Sequence, residues 1–156
     1  MAGRIFKVSI DNVAIGTAVQ DIFSLKAAAG NGVIIHWIHL DSTNTATAAL
    51  RLRLKRGTAT VTQGSGGTNQ TPTAASSYDQ GVATATTHIN DTTQATTSGA
   101  FYNLALFNWD TVLPFDYLPA PEDRDDCKPA EILVLDLPAV ITATTVSGFV
   151  VFEETP

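Results

Sequence analysis

Cysteine is all but missing. Cys127 stands alone, so no disulfide can close within the chain. Long apolar runs are missing as well: nothing approaches the roughly eighteen residues that a membrane-crossing helix needs. The opening stretch, 1–11, sets Arg4 and Lys7 among Ile5, Phe6 and Val8 where a secretory leader would have an apolar block. The expectation is a chain with no membrane partner that folds in a reducing cytosol, or inside something assembled there. Charge is scarce too. Only 15% of the residues are charged while 44% are apolar, and Thr, Ala and Ser fill the difference, as in a folded, β-rich chain and not a disordered one. A net charge of −6 and a pI near 4.8 exclude the basic surface that nucleic acid demands. The length of 156 residues suits a single domain spanning 1–156.

Recognisable chemistry is also absent. No Gly-x-Ser-x-Gly elbow occurs, and Gly64-Ser65-Gly66 lacks the Lys-Ser/Thr of a phosphate loop. Asp125 and Asp126 beside Cys127 raise a thiol pKa, the wrong direction for a nucleophile. His36 and His39 are three apart in an apparent strand, so they point to opposite faces and can share a metal only across a bulge. Glu122, Asp123, Asp125 and Asp126 crowd 121–129, without EF-hand spacing or a turn glycine. No catalytic residue, metal or cofactor is therefore expected, and this loop reads as a solvated acidic surface.

What is present begins at Leu50-Arg51-Leu52-Arg53-Leu54-Lys55-Arg56-Gly57. Strict apolar–basic alternation is the mark of a strand with one buried and one wet face. The leucines point inward, and Arg51, Arg53 and Lys55 form an outer row that can meet a partner. Losing Arg51 and Arg53 is then expected to leave the fold intact, whereas Leu52→Ala is expected to cost roughly 2–5 kcal/mol. The charge balance supplies an opposite surface. Residues 1–100 carry seven Lys/Arg against five Asp/Glu, and residues 101–156 carry two against ten. The acidic third can face the basic row within one copy or between neighbours, with Glu122, Asp123, Asp125 and Asp126 as its interface candidates.

Similar patterning predicts strands over 5–10, 21–27, 33–40, 82–90, 101–110, 131–137 and 146–153, with 33–40 buried on both faces and Asp11-Asn12 turning the chain. Residues 101, 103, 105, 107 and 109 fall on one face of theirs. The polar, glycine-bearing stretch 58–80 reads as a flexible loop or projecting arm, and 113–129 as irregular. About eight strands and no amphipathic helix predict an all-β, eight-stranded jelly-roll-like sandwich. An immunoglobulin-like sandwich is the rival.

Five segments together resemble a known group: Ile5-Phe6-Lys7-Val8, Leu50 to Gly57, Asn90-Asp91-Thr92-Thr93-Gln94-Ala95-Thr96, Leu118-Pro119-Ala120-Pro121-Glu122, and Gly148-Phe149-Val150-Val151-Phe152-Glu153-Glu154. The set is similar to small proteins encoded beside capsid genes in tailed bacteriophages and prophages, some of them jelly-roll decoration (cement) proteins. The resemblance implies a structural, non-enzymatic virion protein made in the host cytoplasm and carried on the capsid exterior. Its implied partners are the major capsid protein and its own copies, as a homotrimer or, alternatively, a homodimer. A second reading, a sugar-binding or tail-fibre module, rests on Trp37, Tyr102, Trp109, Phe115 and Tyr117, whose rings can stack on sugars. A third, an acidic-site hydrolase, rests on the carboxylates alone.

Overall fold

A computed structural model describes residues 3–16, 18–78, 81–139 and 143–156. Fourteen strands follow in chain order: β1 (Arg4–Ile15), β2 (Gln20–Lys26), β3 (Gly32–Ser42), β4 (Ala49–Gly57), β5 (Val61–Thr62), β6 (Thr68–Gln70), β7 (Thr73–Ala74), β8 (Thr86–Asp91), β9 (Thr96–Thr97), β10 (Phe101–Asp110), β11 (Phe115–Tyr117), β12 (Asp126–Cys127), β13 (Ile132–Leu137) and β14 (Thr144–Thr155). No α-helix occurs among the described residues; one 3₁₀ turn spans Pro121–Asp123.

Two antiparallel sheets pack face to face. The first runs β11-β3-β14-β1-β7 and the second β10-β4-β13-β2-β8-β6. Setting aside the short strands β5, β6, β7, β9 and β12, and the added strand β8, leaves β11-β3-β14-β1 against β10-β4-β13-β2. The chain changes sheet at every step except between β4 and β10. That is the two-Greek-key order of a jelly roll, open at its margins and not closed into a barrel. The sixth strand of the roll in chain order is β11, inside the segment expected to be irregular. The strand expected over 82–90 is present as β8, added beside β2.

Alternation decides the core. Phe6, Val8 and Ile10 of β1, Ile35, Ile38 and Leu40 of β3, and Val146, Val150 and Phe152 of β14 face Leu50, Leu52 and Leu54 of β4 and Leu133, Leu135 and Leu137 of β13. Bulges re-aim four strands, β1, β2, β3 and β10. Asp11-Asn12 does not end β1; the ladder to β14 slips there, Asn12 takes φ 48°, and inward pointing resumes at Val13. In β10 the register slips between Asn103 and Ala105. Phe101 and Asn103 therefore lie on the outer face and Ala105, Phe107 and Trp109 on the inner, which corrects the single-face expectation.

β13 is buried on both faces, as is β2 up to Leu25, whereas β3 is not. Ile132 and Val134 point away from the main core, and Val61 and Ala95 cover them beside Phe101. The segment expected to project as an arm supplies this cover. β5 pairs with β9, β6 with β8, and β7 with β1, so 58–78 lies along the body; residues 79 and 80 are outside the described set. Ile132 and Val134 are the physical reason: an apolar outer face needs a lid.

Candidate interaction surfaces

The basic strand turns out to be mostly committed inside the molecule. Arg51 is exposed and makes no ion pair or hydrogen bond among the described residues. Arg53 donates through Nε (2.9 Å) and Nη2 (2.6 Å) to both oxygens of Asp136. Lys55, only 4% exposed, donates to Asp136 Oδ2 at 2.7 Å, and its Nζ lies 4.5 Å from the Phe101 ring centre. The outer row of three is thus one free cation, one half-buried and one buried. The opposing charge does come from the acidic third, but from Asp136 within the same chain. Removing Arg53 is therefore expected to unbalance a buried carboxylate, contrary to the expectation of an intact fold.

Asp136 opens a transverse row. Its cross-strand partner on β2 is Asp21, and that of Asp21 on β8 is Asp91. Three carboxylates side by side on a covered face are unfavourable unless donors reach them. Gln94, which the sequence pattern gave no reason to select, donates to Asp136 Oδ2 (3.0 Å) and Asp21 Oδ1 (3.3 Å), while the Ala95 amide donates to Asp21 Oδ2 (2.7 Å). Asp91 accepts from the Gly67 amide at 3.2 Å and lies 3.3 Å from His88 Nδ1. Burial raises the pKa of Asp91. It pushes that of Asp21 up to about 6, with Asp136 adding to the rise and Ala95, Lys55 and Gln94 opposing it.

A pH dependence follows. Asp21 binds its proton more tightly folded than unfolded, so its contribution to stability is full below about 3.8 and is lost as pH rises through about 6. A rise of about two pH units is worth roughly 3 kcal/mol at most. Asp21→Asn, measured by urea unfolding from pH 4 to 6.5, is expected to remove most of that downward slope. An unchanged slope in the variant would assign it to other groups.

The outer face of the first sheet gathers a second cluster. The register of β3 on β14 slips between Ile35 and Trp37, so His36 is the extra residue. His36, Trp37 and His39 are consequently on one face, where strict alternation put the two histidines on opposite faces. They are nevertheless held apart by different carboxylates. His36 Nε2 lies 2.9 Å from Glu153, and His39 lies 2.8 Å from Asp116 and 3.0 Å from Asp41. Hydrogen bonding to Asp116 raises the pKa of His39 and lowers that of Asp116. No group of three metal-binding side chains forms among the described residues.

The five rings proposed to stack on sugars do not make one platform. Trp109 is buried in the core. Phe115 and Tyr117 pack on Phe107, with ring centres 5.1 and 5.2 Å apart, and Tyr117 donates to Asp125 at 2.6 Å. Trp37 is half-buried, packs edge-on to Phe149 at 4.7 Å and spends its Nε1–H on Asp116. Tyr102 is the exposed member. In the acidic loop Glu122 and Asp123 are exposed and Asp126 pairs with Arg56 at 3.2 Å. Burial, aided by Glu131 and Asp126, pushes the Cys127 thiol up to about 12.

Five large apolar side chains on or next to β10 and β11 are exposed: Tyr102, Leu106, Val112, Leu113 and Leu118. Comparison of the chain with known families, with curated proteins and with solved structures finds no match.

Proposed function

We propose that the chain is a structural virion protein that decorates the outside of a tailed-bacteriophage capsid and stabilises it by bridging neighbouring major capsid proteins. The observation that carries this reading is the set of large apolar side chains that a jelly roll leaves in solvent on and just beyond β10 and β11, namely Tyr102, Leu106, Leu113 and Leu118. Large apolar side chains left exposed on a folded domain suit a protein–protein contact. The five segments similar to phage decoration proteins support the same conclusion, and so does the ionic lock at Asp136, which stiffens the scaffold that such a bridge needs. Arg51, Glu122 and Asp123 stand free at the surface to steer the encounter.

The test is incubation of the purified chain with capsids of the encoding phage that have been stripped of it. The expected results are saturable binding and a higher temperature of shell rupture, because a ligand that prefers the intact state stabilises it by mass action. Absence of the chain from purified particles, together with no binding to stripped shells, overturns the reading.

A further inference from the structure

We infer that β10 is a self-pairing edge, through which two copies join antiparallel across a two-fold axis into one continuous sheet. This is a property of the free chain and does not depend on a shell. Strand edges carry unpaired N–H and C=O groups, and folded proteins guard them with short strands, charges, bulges or cover. The other margins here are guarded. β6 and β11 have three residues each and β7 and β12 two. The part of β1 beyond β7 carries Asp11 and the Asn12 bulge, and Gln20 donates to its Ala14 carbonyl at 3.2 Å.

β10 is different. It has ten residues and, among the described residues, pairs only with β4. Between Phe101 and Trp109 it contains no Asp, Glu, Lys, Arg or Pro. Its bulge falls early, which leaves Ala105–Asp110 a regular run. Every second residue there directs its backbone polar groups away from β4.

The occupant is a second copy, because this edge complements itself. The two-fold axis of an antiparallel pair stands perpendicular to the sheet, so outer-face residues meet outer-face residues. Leu106 is on the outer face and 57% exposed. A register with Leu106 opposite its own counterpart buries both leucines and opposes no like charges along the neutral run. The same register places the two Asp110 carboxylates at opposite ends of the paired strands, so they do not meet.

The experiment is sedimentation equilibrium of the full chain from about 1 μM to about 1 mM, the span that separates tight from negligible association. The wild type is expected to move from 16.5 kDa towards twice that mass. Leu106→Lys, which places two ammonium groups at the axis, is expected to stay at the monomer mass with an unchanged thermal melt. Tyr78→Lys, at a residue 98% exposed and away from β10, is expected to associate like the wild type. A wild type that stays monomeric throughout, a three-fold mass, or a Leu106→Lys variant that dimerises normally overturns the proposal. Shell binding by a chain that remains monomeric would overturn the pairing and leave the decoration reading standing. Dimerisation without shell binding would do the reverse.

Discussion

Asp136→Ala is expected to cost roughly 3–5 kcal/mol, enough to unfold much of a domain of ordinary stability. The carboxylate is fully buried and accepts from Arg53, Lys55 and Gln94. Among the described residues, removing it leaves the Lys55 ammonium buried with no hydrogen-bond acceptor, only the Phe101 ring and the charge of Asp21, and strips Gln94 of one of its two acceptors. The loss is mostly the uncompensated cation, not the value of the pair itself. The double variant Asp136→Leu, Lys55→Met tests that distinction. With both buried charges replaced by apolar groups of similar volume it is expected to recover most of the stability, since such replacements are often neutral or better. Arg51→Ala, on the same strand but wet and unpaired, is expected to stay within about 0.5 kcal/mol of the wild type. Urea unfolding of the three variants is the measurement. If Asp136→Ala matched Arg51→Ala, the row of charges would not be closed off from water.

The contrast between Arg51 and Lys55 also marks how far the sequence could be read. Alternation from Leu50 to Leu54 is set by one sheet face meeting the core, and the leucines land there. What alternation leaves open is whether the other face stays wet. That depends on distant segments, here Val61 and Ala95, which lie in a polar stretch with no periodicity of its own. The clue was Ile132 to Leu137, an apolar run interrupted only by Asp136, which marks a strand buried on both faces. In β3 a similarly apolar run has a half-exposed outer face, because the extra residue at His36 turns Trp37 outward. Bulges leave almost no trace in composition, so the shared face of His36 and His39, and the split of β10 at Leu104, were not legible. Strand β11 escaped because three residues between Pro114 and Pro119 are too few to show a period. The acidic third was correctly matched to the basic strand, but which carboxylate served was a matter of register: Asp136 stands opposite Arg53, while Glu122 and Asp123 remain in solvent.

Phe152→Ala is expected to cost about 3–5 kcal/mol, the usual range for emptying a buried aromatic site. Phe152 is fully buried on β14, the strand between β3 and β1. Its ring centre lies 5.7 Å from that of Phe6, its cross-strand partner. The pair joins the first strand of the roll to the last. Truncation therefore opens a cavity where the ends of the chain are tied, walled by strands with backbone ladders on both sides that cannot collapse into it. Phe152→Leu keeps most of the volume and is expected to cost clearly less, about 1–2 kcal/mol. The graded series separates cavity formation from a wholesale loss of pairing. If leucine and alanine were equally damaging, the ring contact with Phe6 would matter more than the volume, and Phe6→Leu should then reproduce the loss. Thermal and urea melts of the three variants, compared at one pH below 6 and one above, keep the Phe152 effect distinct from the titration of Asp21.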